Sequence, residues 1–133
     1  MENSKEDNKE NCYYVYIILC ENNSYYTGIT NDLVNRFNKH AKGRGANYTK
    51  LRKPLKFLSA WKVENISIAL KIEYYIKSKN KKIKILFVKN NRLLKTYYIR
   101  DMKKKNKDFN DNISIRSISK KNIDHINNML DIE

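Results

Sequence analysis

The stretch that most restricts what this chain can fold into is YYVYIILC-ENNS-YYTGIT, residues 13 to 30. Its first eight residues are almost continuously apolar and aromatic, as a strand is when both faces are covered, which places it in the middle of a sheet. Asn22, Asn23 and Ser24 supply turn residues, and Tyr25 to Thr30 returns as the antiparallel partner. A helix follows. Asn31 is expected to cap it, Leu33, Val34 and Phe37 form its apolar face, and Arg36, Lys39 and His40 stay off that face. Gly43 and Gly45 then interrupt the pattern, either ending the helix or letting the backbone approach a ligand.

Downstream of the single proline, Pro54, residues Leu55 to Val63 alternate as a third strand. Ser67 is placed to cap a second helix with Ile68, Leu70, Ile72, Tyr75 and Ile76 as its apolar positions and Glu73 as its only acid. The lysine-dense segment KSKNKKIKILFVKN reads as a short helix or as a strand. Residues 91 to 112 are basic and poor in apolar pattern, whereas Ser119 to Leu130 has the spacing of an amphipathic helix. The polar segment 1–11 is expected to be disordered, 12–91 to form the principal domain, and 92–133 a basic extension ending in a helix.

Lysine and arginine number 28 against 14 acids, a formal charge of +14. Such an excess suits a partner made of phosphates, because cations that displace condensed counterions supply most sequence-independent affinity for nucleic acid. No apolar run approaches the roughly 20 residues of a membrane span, and the N-terminus lacks a signal-like apolar centre. A cytoplasmic protein with no membrane partner is therefore expected. Cys12 and Cys20 lack metal-site spacing and read as reduced packing residues.

Phosphodiester cleavage needs an activated nucleophile, charge compensation on the phosphate and stabilisation of the leaving oxygen. Tyr16 and Tyr26, ten apart on paired strands, can reach one site. Arg36 offers a planar fork for phosphate oxygens one helical turn before His40. Glu73 is a lone carboxylate amid lysines, suited to a cation whose shell is completed by water and phosphate oxygens.

These residues resemble the GIY-YIG nuclease superfamily. Val15-Tyr16-Ile17 stands at the first motif and Tyr26-Thr27-Gly28 at the second, followed by Arg36 and His40. The strings YTGIT, R-x-x-x-H, G-x-G-A-x-Y-T and A-x-x-x-E are similar to those of small stand-alone UPF0213-type proteins, and the likeness spans about residues 13 to 89. It implies an α/β (α+β) fold, a three-stranded antiparallel sheet flanked by helices, here with a C-terminal helical extension. It also implies a metal-dependent endonuclease in which Tyr16 and Tyr26 position or deprotonate water and Arg36 holds the scissile phosphate. His40 would assist proton transfer, Tyr48 would line the site, and Glu73 would bind Mg2+ or Mn2+. The substrate implied is nucleic acid, DNA ahead of RNA. A non-catalytic nucleic-acid-binding module on the same scaffold is the alternative. The first motif lacks its glycine, and Asn80 and Asn90 are the candidates for the asparagine that many members carry after the metal-binding acid.

Binding to nucleic acid should be largely electrostatic. The expected affinity falls by about 0.7 to 0.9 log units per log unit of salt for each phosphate neutralised. A nearly flat salt titration would contradict this.

Overall fold

The computed structural model describes residues 12–42 and 52–130, with His40 described by its backbone alone. The expected N-terminal disorder and the placement of Tyr48, Gly43 and Gly45 lie outside the described residues. Strands β1 (Tyr13–Cys20) and β2 (Ser24–Thr30) form the hairpin, with Tyr16 paired to Gly28 and Ile18 to Tyr26. The connecting turn puts Asn22 and Asn23 at φ 62 and 57, the left-handed region that asparagine enters more readily than most side chains. Glu21 fastens that turn to the next strand: its backbone N–H donates to the Lys53 carbonyl, and its Oε1 accepts from the Lys53 N–H at 2.8 Å.

Helix α1 (Leu33–Ala41) is capped one residue later than expected: Asp32 Oδ1, not Asn31, accepts from the Asn35 N–H at 3.1 Å. Strand β3 (Pro54–Val63) then pairs antiparallel to β1 on the side opposite β2. Helix α2 (Ile66–Lys77) begins at Asn65, whose Oδ1 accepts from Ile68, so Asn65 and not Ser67 is its cap. The lysine-dense segment resolves as helix α3 (Lys81–Lys89), capped by Asn80 and burying Phe87.

Among the described residues the sheet has four strands rather than three, in the order β2-β1-β3-β4. The added strand β4 (Ile115–Ser117) pairs Ile115, Arg116 and Ser117 with Val63, Lys62 and Trp61. Three residues are too few for a period-two pattern to announce a strand, and its partner rather than its composition creates it. Helix α4 (Leu93–Lys105) likewise occupies a stretch read as basic and poor in apolar pattern apart from Tyr97, Tyr98 and Ile99, because Leu94 and Tyr98 suffice to anchor one face. Helix α5 (Lys120–Asn128) lies where the amphipathic spacing predicts a helix. The fold is thus α+β, an antiparallel sheet flanked by helices, and no helix among the described residues is long and apolar enough to cross a membrane.

The alternation of β1 builds two cores. Val15 and Ile17 join Trp61 and Val63 against Ile72 and Ile76 of α2, Phe87 of α3 and Leu94 of α4. Tyr16, Ile18 and Cys20 join Phe57 and Ala60 against Leu33 and Phe37 of α1 and Ile123 of α5. Among the described residues neither cysteine forms a disulfide, and Cys20 is buried, which pushes its thiol up to about 11 and leaves it a neutral packing group.

The extension also completes the backbone of β3. At the irregularity beside Leu58, Asn127 Oδ1 accepts from the Phe57 N–H at 2.8 Å and its Nδ2 donates to the Phe57 carbonyl at 3.0 Å, replacing a strand partner. Asn127→Ala should strand both groups and lower stability by about 1–3 kcal/mol. Urea unfolding with an unchanged m-value is the measurement, and a midpoint equal to the parent's would contradict it.

Candidate active site

The site is built at the β2 edge of the sheet. Tyr16 and Tyr26 stand on the same sheet face, diagonal neighbours in the β1–β2 register, with ring centroids 6.2 Å apart and planes tilted by 48°. Tyr16 is fully buried, its ring held edge-on by Phe57 at 5.6 Å. Gly28 makes room for the pair. A Cβ there would lie 2.5 Å from the Tyr16 hydroxyl, 2.7 Å from its Cζ and 2.9 Å from Tyr26 Cε2. The glycine of the YTG string is therefore required by space, not by a backbone angle.

Arg36 comes from α1, one turn before His40 in the same helix. It is half-buried rather than on an exposed face, and its guanidinium donates a hydrogen bond to the Tyr16 hydroxyl. Its Nε is buried and has no acceptor. A buried donor left unmade costs about 1–3 kcal/mol, so this nitrogen marks a place where an anionic acceptor would be stabilising.

Glu73 reaches the same place from α2, which packs across β1 and β2. Its carboxylate is near enough to Tyr16 to act on the hydroxyl electrostatically, and it pairs with Lys77 Nζ at 3.4 Å. Burial pushes the Tyr16 hydroxyl well above the usual phenol range, and the neighbouring Tyr26 adds to this, while hydrogen bonding and charge from Arg36 pull the other way without prevailing. Tyr16 thus keeps its proton at neutral pH. Tyr16, Tyr26 and Arg36 lie together, with Glu73 near enough for its charge to be felt at Tyr16. The His40 side chain and Tyr48 lie outside the described residues. Of the asparagine candidates, Asn80 spends its side-chain oxygen on capping α3, and Asn90 ends that helix with its N–H bound to Leu86.

Sequence reasoning missed the cations beside the tyrosines. Lys77 Nζ lies 5.9 Å from the Tyr26 ring centroid, and Lys81 Nζ lies 4.1 Å from that of Tyr25 while donating to the Asn23 carbonyl. Lys84 is held below the usual lysine range, first by burial and then by Lys81 and Lys77. The signal was present as lysines at three- and four-residue intervals after Glu73, but a lysine-rich background concealed it.

A family profile described as GIY-YIG catalytic domain matches residues 12–86, which end within α3. The chain is 38% identical over 82 residues to the UPF0213 protein YazA of Bacillus subtilis, covering 62% of this chain and 83% of that one. It is 42% identical over 76 residues to the UPF0213 protein SSP2268 of Staphylococcus saprophyticus, covering 56% and 93%. The solution NMR structure of the UPF0213 protein BH0048 from Bacillus halodurans matches with 37% identity and a TM-score of 0.40, over 59% of this chain and 83% of that one.

Gly28→Ala should force the buried Tyr16 away from the half-buried Tyr26, because Tyr16 is walled in by Phe57. The expected loss is about 1–3 kcal/mol, with altered near-ultraviolet dichroism from the displaced rings. Parent-like stability and an unchanged aromatic spectrum would show that the site does not depend on this spacing.

Proposed function

The chain belongs to the GIY-YIG catalytic domain family, a nuclease family, and from that premise we propose that it is an endonuclease hydrolysing phosphodiester bonds in DNA. The observation that carries this reading is the buried Arg36 Nε left without an acceptor beside the paired Tyr16 and Tyr26 rings, with the charge of Glu73 felt at the Tyr16 hydroxyl.

In the proposed reaction, water attacks phosphorus, the bond to the leaving oxygen breaks, and a proton must leave the water and reach that oxygen. Tyr16, protonated and fixed in the core beneath α1 and α5, orients the water by hydrogen bonding rather than by removing its proton. Tyr26 shares that task from the neighbouring strand, and His40 assists the proton transfer. Arg36 holds the scissile phosphate, whose oxygens supply the acceptor its Nε lacks. Tyr48 lines the same site.

The donor set suits a hard cation of the Mg2+ or Mn2+ kind. Among the described residues no three His, Cys, Asp or Glu side chains come together. Glu73 is a single carboxylate with its side chain 19% exposed, which fits an ion that takes one protein oxygen and completes its shell with water and phosphate. Such an ion would supply charge stabilisation to the departing oxygen. The Glu73–Lys77 pair favours a second reading, a non-catalytic nucleic-acid-binding module, because it gives the carboxylate a structural partner.

Glu73→Gln separates the two. Under the nuclease reading, cleavage of a panel of labelled DNA structures with Mg2+ or Mn2+ should fall by about 10³-fold, the equivalent of several kcal/mol. Substrate affinity should persist, since removing a negative charge from a basic protein does not weaken its attraction for phosphate. Melting should change little, because an i, i+4 pair contributes at most about 0.5 kcal/mol. Unchanged cleavage by the folded variant would remove Glu73 from the chemistry.

A further inference from the structure

Helix α2 presents a second surface, turned away from the tyrosines. Ile66, Leu70 and Tyr74 recur every four residues along it and are 47%, 49% and 76% exposed, an uncovered apolar stripe on a helix whose other apolar positions are packed. Tyr74 is the most exposed large apolar side chain among the described residues. Leu70 and Tyr74 form one wall of a groove of about 710 Å³, with Tyr98 and Met102 of α4 opposite. α4 lies beyond the residues that the family profile matches.

The groove is rigid at its base and cationic at its rim. The Tyr75 hydroxyl donates to Asp101 Oδ2 at 2.5 Å, and the Tyr75 and Tyr98 rings meet edge-on at 5.1 Å, locking α2 to α4. Asp101 is the only acid in the lining, and Tyr75, Lys79 and Arg100 already share it. Lys71, Lys104 and Lys105 line the same groove, and among the described residues no carboxylate pairs with them.

We propose that the groove between α2 and α4 seats an unpaired DNA strand, with Tyr74 as the platform on which a base stacks and Lys71, Lys104 and Lys105 neutralising its phosphates. An exposed aromatic face flanked by cations is the arrangement that holds single strands without reading their sequence. A duplex keeps its base faces covered and offers Tyr74 nothing to stack on. Placement agrees with the candidate active site. Glu73 and Tyr74 are consecutive in α2, about 100° apart around the helix, so a strand leaving the scissile phosphate reaches the groove without crossing the fold. The proposal rests on the nuclease reading for the class of its ligand, and it narrows the substrate to DNA with an unpaired segment beside the cut.

The test is binding of the full chain to a labelled oligo-dT of about fifteen nucleotides in the presence of chelator, so that turnover plays no part. Tyr74→Ala should weaken oligo-dT binding by about 5- to 150-fold, the loss of one stacked base. Tyr74→Phe should stay within about twofold, and a fully paired DNA hairpin should bind Tyr74→Ala within about twofold of the parent. Replacing Lys104 and Lys105 together by Gln should reduce the log–log salt slope by about 1.4. Parent-like oligo-dT binding by Tyr74→Ala overturns the proposal, as does an equal loss on the paired hairpin. Tighter binding of oligo-rU than of oligo-dT overturns it as well, and so does self-association of the parent that Tyr74→Ala abolishes, since a second copy would then be the occupant. If the oligo-dT results hold but no DNA is cleaved with Mg2+ or Mn2+, the endonuclease reading fails and the groove stands. Cleavage with Tyr74→Ala indistinguishable in binding overturns the groove alone.

Discussion

Everything in this fold hangs on β1 being buried on both faces. A strand with Val15, Tyr16, Ile17, Ile18 and Cys20 all out of water must find every backbone partner within the protein, and β2 and β3 supply them on either side. Its odd positions belong to the core under α2, α3 and α4, and its even positions to the core under α1 and α5. A slip of one residue would exchange the two sets and carry Tyr16 to the wrong side of the sheet. The central residue of the candidate site is thus held by the packing that holds the whole protein, and its ring has no freedom to drift.

That anchoring has an electrostatic consequence. A phenol buried this deeply keeps its proton even with a guanidinium bonded to it, because desolvating the phenolate costs more than Arg36 returns. The same burial leaves Arg36 Nε without an acceptor. The site is therefore rich in donors and carries one carboxylate, a balance that suits an incoming anion accompanied by a cation. Lys77 lies beside Tyr26, and Lys81 and Lys77 are close enough for Lys84 to feel them. Such mutual repulsion is a cost to the free protein that a polyanion would relieve.

The C-terminal extension shares these cores. Leu94, Tyr98 and Ile115 are buried in one and Ile123 in the other. Two asparagines join it to the rest of the sheet: Asn91 accepts from Trp61 Nε1 through its carbonyl at 2.7 Å and donates from Nδ2 to the Ile118 carbonyl at 2.7 Å, and Asn127 clasps Phe57. Amide side chains suit this work because each offers a donor and an acceptor, as a strand neighbour does. The groove beside Tyr74 exists only because α4 is fixed in this way.

The sequence by itself determined the hairpin, the central place of β1, the two principal helices flanking Glu73 and Arg36, and the spacing that brings Tyr16, Tyr26 and Arg36 together with Glu73 near enough for its charge to be felt at Tyr16. Those features are local: apolar runs, turn asparagines and helical periodicity act over a few residues and can be read from them. Only the tertiary structure decided that Asp32 and Asn65 cap the helices rather than Asn31 and Ser67, because neighbouring polar residues compete for the same orphan N–H groups and the packed helix selects among them. It alone created β4, whose three residues become a strand because the outer edge of β3 needs partners. It alone gave α4 its place, since Leu94 and Tyr98 are anchors only when a core waits opposite them. And it alone revealed why residue 28 is glycine, for the space it leaves is occupied by a tyrosine from another strand, and no pattern along the chain records a contact across a sheet.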